Sequence, residues 1–276
     1  ATIDFGPGGV GSTANIEAWL DASQLSLSNS NPVSSWTDLS GNSNDAFQTT
    51  TLRQPTFLTN QLNGLPAVDF DGVNSAMLFT SNITTTDITS FFVFSNEANT
   101  LEILMFTDSN IYTLNNNLAG MGSSNPWKEN RISYPNNSFN IFSGSSSASS
   151  GFQTLTSGSL SNQNLFNDQF KRDTSALGAL FRVSNNTYDL HAKISIAELV
   201  VYQGALNSAK RKIVSNHLAA KYNLTAEENL FAYGGTHGND VIGVGQEADG
   251  NHTKSVDRDS TFLIENPIGF SNGEYV

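Results

Sequence analysis

The sequence predicts an all-β fold carrying a single helix near its C-terminal end. Three observations lead there. Apolar residues gather in short runs rich in Val, Ile and Phe, bounded by Gly, Asn and Asp, as strands require. Only 14% of residues are charged, so the polar surface is built from Asn, Ser, Thr and Gly, which favour turns and strand edges over helices. One segment alone, 208–222, repeats its apolar residues at helical spacing.

Taken in chain order, residues 16–23 alternate apolar and polar as a half-buried strand does. A polar stretch follows, then a short segment carrying Trp36 and a turn-rich segment over 38–45. Further strands are expected at 66–70, 76–80, 88–95 and 101–107. Short strands are expected near 131–134 and 139–142. The Ser, Gly and Ala run over 143–151 reads as a mobile loop, with a linker as the alternative. The clearest late strands are 177–183 and 192–202, the second nearly continuous in apolar residues at its end. In the helix, Asn207 or Ser208 can cap the start, Asn223 suits a left-handed C-terminal cap, and Leu224 can fold back over the last turn. Lys210, Arg211 and Lys212 read as a solvated face. From residue 229 the texture changes. A turn-rich junction over 233–240 leads to a hairpin of 241–245 with 261–265, and 273–276 looks like a strand just beginning. The expected division is a sandwich over 1–228 and the start of a second β module over 229–276, in a protein that continues beyond Val276.

Bulk composition narrows the function. With 38% hydrophobic and 10% aromatic residues, the 276-residue chain can build a core. Its formal net charge of −12 repels nucleic-acid phosphates and anionic membranes, leaving neutral polymers and divalent cations as partner classes. The absence of cysteine excludes disulfides and thiol chemistry. No apolar run approaches the ~20 residues of a membrane-spanning helix. The start at Ala1 reads as a mature end after signal-peptide removal, or as a cloning boundary.

Several segments resemble one family. The opening Pro7-Gly8-Gly9-Val10-Gly11 and Ala18-Trp19-Leu20-Asp21-Ala22 are similar to the start of laminin-G-like domains in exported proteins of Bacteroidetes. Trp36-Thr37-Asp38-Leu39-Ser40-Gly41-Asn42, followed by Asn44-Asp45-Ala46, resembles that family's Trp-x-Asp-x-Ser-Gly-Asn turn. Gly64 to Gly72 looks like its next strand and turn, and Ile196 to Tyr202 with the helix and Ala220-Lys221-Tyr222 resembles its close. Asn239 to Gly245 resembles a small β module that often follows such domains. The resemblance implies a two-sheet, concanavalin A-like jelly roll. It further implies export by the type IX pathway, with that machinery as a partner, and display on the outer cell surface as in gliding adhesins.

Concanavalin A-like folds include enzymes, so the site decides. Laminarinase-type glycosidases place carboxylates at alternate positions of one strand, aiming acid and nucleophile into one cleft. No such segment occurs: Glu97, Glu102 and Glu198 stand apart, and Glu247 and Asp249 fall in an expected loop. No Gly-x-Ser-x-Gly elbow is present, and His191, His217, His237 and His252 lack ligand spacing. The chain is therefore read as non-enzymatic.

Calcium is the better chemical expectation, because hard cations take carboxylate, amide and carbonyl oxygens. Asp38, Asn42 and Asp45 offer such oxygens on one tight turn. Asp69 and Asp71 flank another and share one strand face, with Phe70 opposite. The competing reading is that these residues simply form Asx turns. For sugar binding, Trp19 and Trp36 belong to framework segments, whereas Trp127 stands in a segment read as a loop. Trp127 with Asn125, Arg131 and Tyr134 is the expected binding surface, with capping of the core as the alternative for the indole. The leading expectation is a surface adhesion or carbohydrate-binding domain. The alternatives are a spacer within a long adhesin and a polysaccharide-degrading jelly roll.

Overall fold

In the computed structural model, described here for residues 5–85, 87–97, 101–107, 110–115, 118–124, 127–147, 151–156, 159–164, 174–226, 228–230, 241–257, 261–265 and 269–276, two antiparallel sheets pack face to face. The strands run β1 (Ile16–Asp21), β2 (Ser35–Trp36), β3 (Ala46–Phe47), β4 (Thr56–Leu62), β5 (Leu65–Asp71) and β6 (Met77–Phe79). Next come β7 (Ile88–Asn96), β8 (Glu102–Phe106), β9 (Ile111–Asn115), β10 (Leu118–Ser124), β11 (Trp127–Ser133), β12 (Phe139–Ser147), β13 (Gly151–Thr156) and β14 (Ser159–Asn164). Then follow β15 (Ala176–Leu177), β16 (Leu180–Arg182), β17 (Thr187–Asp189), β18 (Lys193–Gln203) and the helix α1 (Ser208–Tyr222). Short strands β19 (Gly245–Glu247), β20 (Gly250–His252), β21 (Lys254–Val256), β22 (Leu263–Glu265) and β23 (Glu274–Tyr275) close the chain.

The first sheet has the order β14-β13-β12-β7-β18-β5-β4, with β1 also paired to β18. The second has the order β11-β10-β9-β8-β15-β6-β3-β2. Between them lies the main core, which includes Leu20, Trp36, Phe70, Phe92, Phe94, Tyr112 and Phe142. Its aromatic rings meet at tilted and edge-on angles, with Phe92 5.1 Å from Tyr112 and Phe94 5.3 Å from Tyr134 between centroids.

The central strand β18 is buried on both faces, which explains why its sequence lacks polar alternation. A register shift between Ile196 and Glu198 changes the phase of the pleat. Ile194, Ile196, Leu199 and Val201 therefore face the second sheet, while Ala197, Val200 and Tyr202 join a separate cluster under the helix. The helix supplies Ile213, Val214, Leu218 and Tyr222 to that cluster, so the first sheet is covered on its outer face as well.

The helix follows the sequence closely. The Asn207 side chain accepts from the Lys210 N–H at 2.9 Å, and Asn223 adopts φ 54° and ψ 48°. Leu224 N–H then bonds the Ala219 carbonyl at 2.9 Å. The basic residues of its first turns are not a solvated face, however. Arg211 is buried, and Lys212 pairs with Glu228 at 2.8 Å and Glu247 at 2.7 Å. Those acidic partners come from later in the chain, out of reach of any helix-local reading.

Two further expectations are corrected. The small-residue run is a strand through Ser147, not a loop, and Ser143, Ser145 and Ser146 are buried. A Cβ on Gly144 would stand 2.8 Å from Met121 Sδ and 2.9 Å from the Tyr112 ring, so the second sheet approaches too closely for larger residues. Residues 148–150 of the run lie outside the described residues. Near the C-terminus, Gly245–Glu247 pairs with Gly250–His252 and with Glu274–Tyr275, whereas Leu263–Glu265 pairs with Lys254–Val256. The junction over 233–240, with His237, lies outside the described residues.

The C-terminal strands dock on the helix and on the Pro7–Gly9 turn. Gly243 N–H donates to the Gly8 carbonyl at 3.2 Å, and Ser208 N–H to Asp249 at 3.0 Å. His252 is buried at this seam, its Nε2 3.2 Å from the Gly9 carbonyl and 2.8 Å from Ser255 Oγ. Burial, reinforced by the Lys210 charge, pushes His252 down from 6.5 to about 4, against the opposing pull of the Gly9 carbonyl. Between those values an unfolded chain binds a proton that the folded site refuses. This contribution to stability is complete above about pH 6.5 and declines as pH falls toward 4, by about 1.4 kcal/mol per unit. Denaturant unfolding at pH 7.5 and 5 should show this loss, and His252→Asn should flatten it. An unchanged slope in the variant would contradict the assignment.

Candidate ligand-binding site

A cavity of about 270 Å³ opens where β1, the helix and the C-terminal segment meet. This is close to the lower end of small-molecule pockets, about 300 Å³. Its polar groups come from Asp21, Ser23, Gln24, His217, Lys221 and Asp257. Trp19 supplies an aromatic wall, and Pro7, Leu65 and Ile242 add apolar surface.

Each wall has a local cause. In β1, Ala18 and Leu20 face the main core, so the pleat turns Trp19 toward the helix. Asp21 ends that strand and caps the next turn, its Oδ1 accepting from Ser23 N at 2.9 Å and Ser23 Oγ at 2.7 Å. On the helix, His217 and Lys221 lie four residues apart and share one face. His217 Nδ1 is 2.8 Å from the Val241 carbonyl, which ties the helix to the C-terminal segment.

The cavity floor is a buried ionic cluster. Lys221 Nζ lies 2.7 Å from Asp21 Oδ2 and 2.7 Å from Glu198 Oε2. Trp19 Nε1 donates to Glu198 Oε1 at 2.8 Å, and the Tyr222 hydroxyl donates to Oε2 at 3.0 Å. Burial alone would lower the Lys221 ammonium, but the Glu198 and Asp21 charges outweigh it and hold it above the usual lysine value. Burial and the Glu198 charge also push the Tyr222 phenol well up. The sequence contained one signal for this cluster. Glu198 interrupts the apolar run of Ile196 to Tyr202, and a charge in a doubly buried strand requires a partner.

The expected metal ligands serve a different purpose. Asp38 Oδ1 accepts from Trp19 N at 2.8 Å and Ser40 N at 2.9 Å, and Oδ2 from Ser40 Oγ at 2.6 Å and Asn44 N at 2.9 Å. Four donors fill the lone pairs of that carboxylate. Asp45 Oδ1 accepts from Asp38 N, and the Asn42 amide donates to the Thr13 and Ile16 carbonyls. This turn fixes the backbone of Trp19 and uses the Asp38 carboxylate to do so. Asp69 and Asp71 share a face opposite buried Phe70, as expected. Yet Asp69 accepts from Ser195 Oγ at 2.7 Å and lies 3.6 Å from Lys193 Nζ. Asp71 accepts from the N–H groups of Val73, Asn74 and Ser75 and from the Ser75 hydroxyl. Burial raises Asp71, but the Ser75 hydroxyl and these N–H groups outweigh it and hold it well below the usual carboxylate range. Among the described residues, no group of three or more Asp, Glu or His side chains is arranged to hold a metal. Each of the five residues thus spends at least one polar group on hydrogen bonds within the chain.

The expected surface around Trp127 is also revised. Trp127 lies in strand β11, opposite Ser124, and not in a loop. Asn125 lies outside the described residues. Arg131 is half-buried, four residues further along β11. Tyr134 is 3% exposed, packs on Phe94 and hydrogen-bonds Asn96, so it belongs to the core and cannot stack on a ligand.

No protein-family model matches the chain, and no curated protein does. Solved structures do. The receptor binding domain of botulinum neurotoxin mosaic serotype C/D aligns over 88% of this chain and 55% of its own, at 10% identity and a TM-score of 0.53. The binding domain of Paraclostridial Mosquitocidal Protein 1 aligns over 73% of this chain and 51% of its own, at 12% identity and a TM-score of 0.50. This chain thus spans about half the length of the toxin domains it matches. Domain 4 of AbnA, a GH43 extracellular arabinanase from Geobacillus stearothermophilus solved with arabinotriose, aligns over 72% of this chain and 96% of its own, at 19% identity and a TM-score of 0.50.

The calcium expectation has a direct test. Asp38→Ala strands three backbone N–H groups and should cost about 3 kcal/mol or more in denaturant unfolding. That cost should be the same in calcium and in EDTA. A cost present only in calcium would restore Asp38 as a metal ligand. With these likenesses beside the geometry, the chain is an all-β, two-sheet jelly-roll sandwich of concanavalin A-like type.

Proposed function

We propose that this chain is a non-enzymatic, glycan-binding domain of a secreted bacterial protein displayed on the outer cell surface, and that its ligand enters the cavity beside Trp19. The observation that carries this reading is the cavity itself, which sets an indole beside amide, hydroxyl, imidazole and carboxylate groups. Such a mixture suits the apolar faces and hydroxyl rims of sugar rings. Asp21 and Asp257 outnumber Lys221 there, and Glu198 adds a further negative charge beneath, which favours neutral sugars over acidic ones. The arabinotriose bound to a domain of similar fold supports a neutral oligosaccharide as the ligand class.

The non-enzymatic reading is supported by the likeness in fold to toxin binding domains and to the arabinotriose-bound domain. Lys221 engages both Asp21 and Glu198, so neither carboxylate is presented to a bound sugar as a general acid or nucleophile. Display on the surface, and export by the type IX route, rest on the resemblance of the Trp36 to Asn42 turn and the Ile196 to Tyr222 segment to laminin-G-like domains of gliding adhesins.

Calorimetric titration with soluble neutral oligosaccharides, arabinotriose among them, tests the proposal. Gln24→Ala should weaken binding by about tenfold, near 1.4 kcal/mol, at unchanged melting temperature. Trp127→Ala should leave affinity unaltered. Loss of binding in Trp127→Ala alone would move the site to β11. Absence of binding to every glycan would leave a spacer.

A further inference from the structure

The ionic cluster beneath the cavity is more elaborate than an ion pair. One amine nitrogen touches two carboxylates at 2.7 Å each, and the Lys221, Asp21 and Glu198 side chains are 14%, 3% and 1% exposed. Every other oxygen in the cluster is held. Glu198 is fixed by Trp19 Nε1 and the Tyr222 hydroxyl. Asp21 presents Oδ2 to Lys221 while Oδ1 accepts from Ser23 N–H and Ser23 Oγ–H. The Tyr222 ring centroid lies 5.0 Å from Lys221 Nζ.

This is the arrangement that amide condensation requires. An amine stands against a carboxyl group, a second carboxylate touches the same nitrogen, and two donors aim at the oxygen that would carry negative charge in a tetrahedral intermediate. We propose that Lys221 and Asp21 become joined by an intramolecular amide bond after folding, with Glu198 carrying protons and Ser23 holding the oxyanion.

The step balances from the ion pair. Glu198 takes one proton from Lys221 Nζ and passes it to Asp21 Oδ2. The freed lone pair attacks Asp21 Cγ, and charge develops on Oδ1 against the two Ser23 donors. A second nitrogen proton travels through Glu198 to Oδ2, the Cγ–Oδ2 bond breaks, and one water leaves toward the cavity. The product is a neutral amide, Glu198 is regenerated, and no oxidant or co-reactant is consumed. Because the carboxylates favour the protonated amine, the reactive form arises only by proton transfer inside the cluster, and one turnover per chain suffices. The bond would connect residues 200 apart and fasten the last turn of the helix to the end of β1.

Intact-mass spectrometry of the purified, folded protein under denaturing conditions decides the matter. The expected mass is about 18 Da below that of the sequence, one water per chain. Proteolysis should yield a branched peptide containing both Asp21 and Lys221. Lys221→Arg should restore the full mass, as should Glu198→Gln, and Asp21→Asn should lose ammonia, about 17 Da, in place of water. A wild-type mass equal to that of the sequence would overturn the proposal even where variants fail to fold. A deficit that persists in Lys221→Arg would overturn it as well.

Discussion

Glu198 is the constraint on which this architecture turns. It sits 1% exposed in a central strand covered on both faces, where an unpaired carboxylate would be very costly. Its two oxygens recruit Trp19 from β1 and Lys221 and Tyr222 from the helix. Strand β1, far away in sequence, is thereby brought to one point with β18 and the helix that follows it. Removing Lys221 would leave a buried charge unpaired, a loss of about 3–5 kcal/mol in comparable sites. The same point forms the floor of the cavity, so the groups that hold the helix on the sheet also shape the candidate site.

The phase change in β18 makes this possible. Without the register shift after Ile196, a strict pleat would place Glu198 on the same face as Ile194 and Ile196, toward the second sheet. The shift sends Leu199 and Val201 into the main core and leaves Glu198 facing the helix. A second tier then orients Trp19. Asp38 and Leu39 bracket its backbone, with Asp38 Oδ1 accepting from Trp19 N and Leu39 N–H donating to the Trp19 carbonyl. The Asp- and Asn-rich turn is thus a structural support for the indole.

Much of the fold was legible because local chemistry and tertiary structure agree. The helix with its Asn207 and Asn223 caps follows the sequence signals, and so do the apolar strands at 88–95 and 192–202. Most of the failures share one physical cause, namely that the deciding partner lies outside the local segment. A Ser and Gly run reads as a loop until Met121 and Tyr112 are seen to leave no room for larger residues. Lys212 reads as solvated until Glu228 and Glu247 arrive. Asp38 resembles a calcium ligand because Asx turns and calcium loops draw on the same residue types, and only the four donors distinguish them. The cavity was hidden for the same reason, since its groups come from the start, the late helix and the C-terminal segment.

The chain holds three tryptophans, and each reports on a different place: Trp19 at the cavity, Trp36 in the main core and Trp127 on β11. Their indole N–H signals in a proton–nitrogen correlation spectrum, followed while a bound neutral oligosaccharide is titrated to saturation, test the location of the site directly. The account expects the Trp19 signal to shift, because its N–H is bonded to Glu198 at the cavity floor, while the Trp36 and Trp127 signals stay in place. A shift confined to Trp127, or saturation without any movement of Trp19, would contradict it.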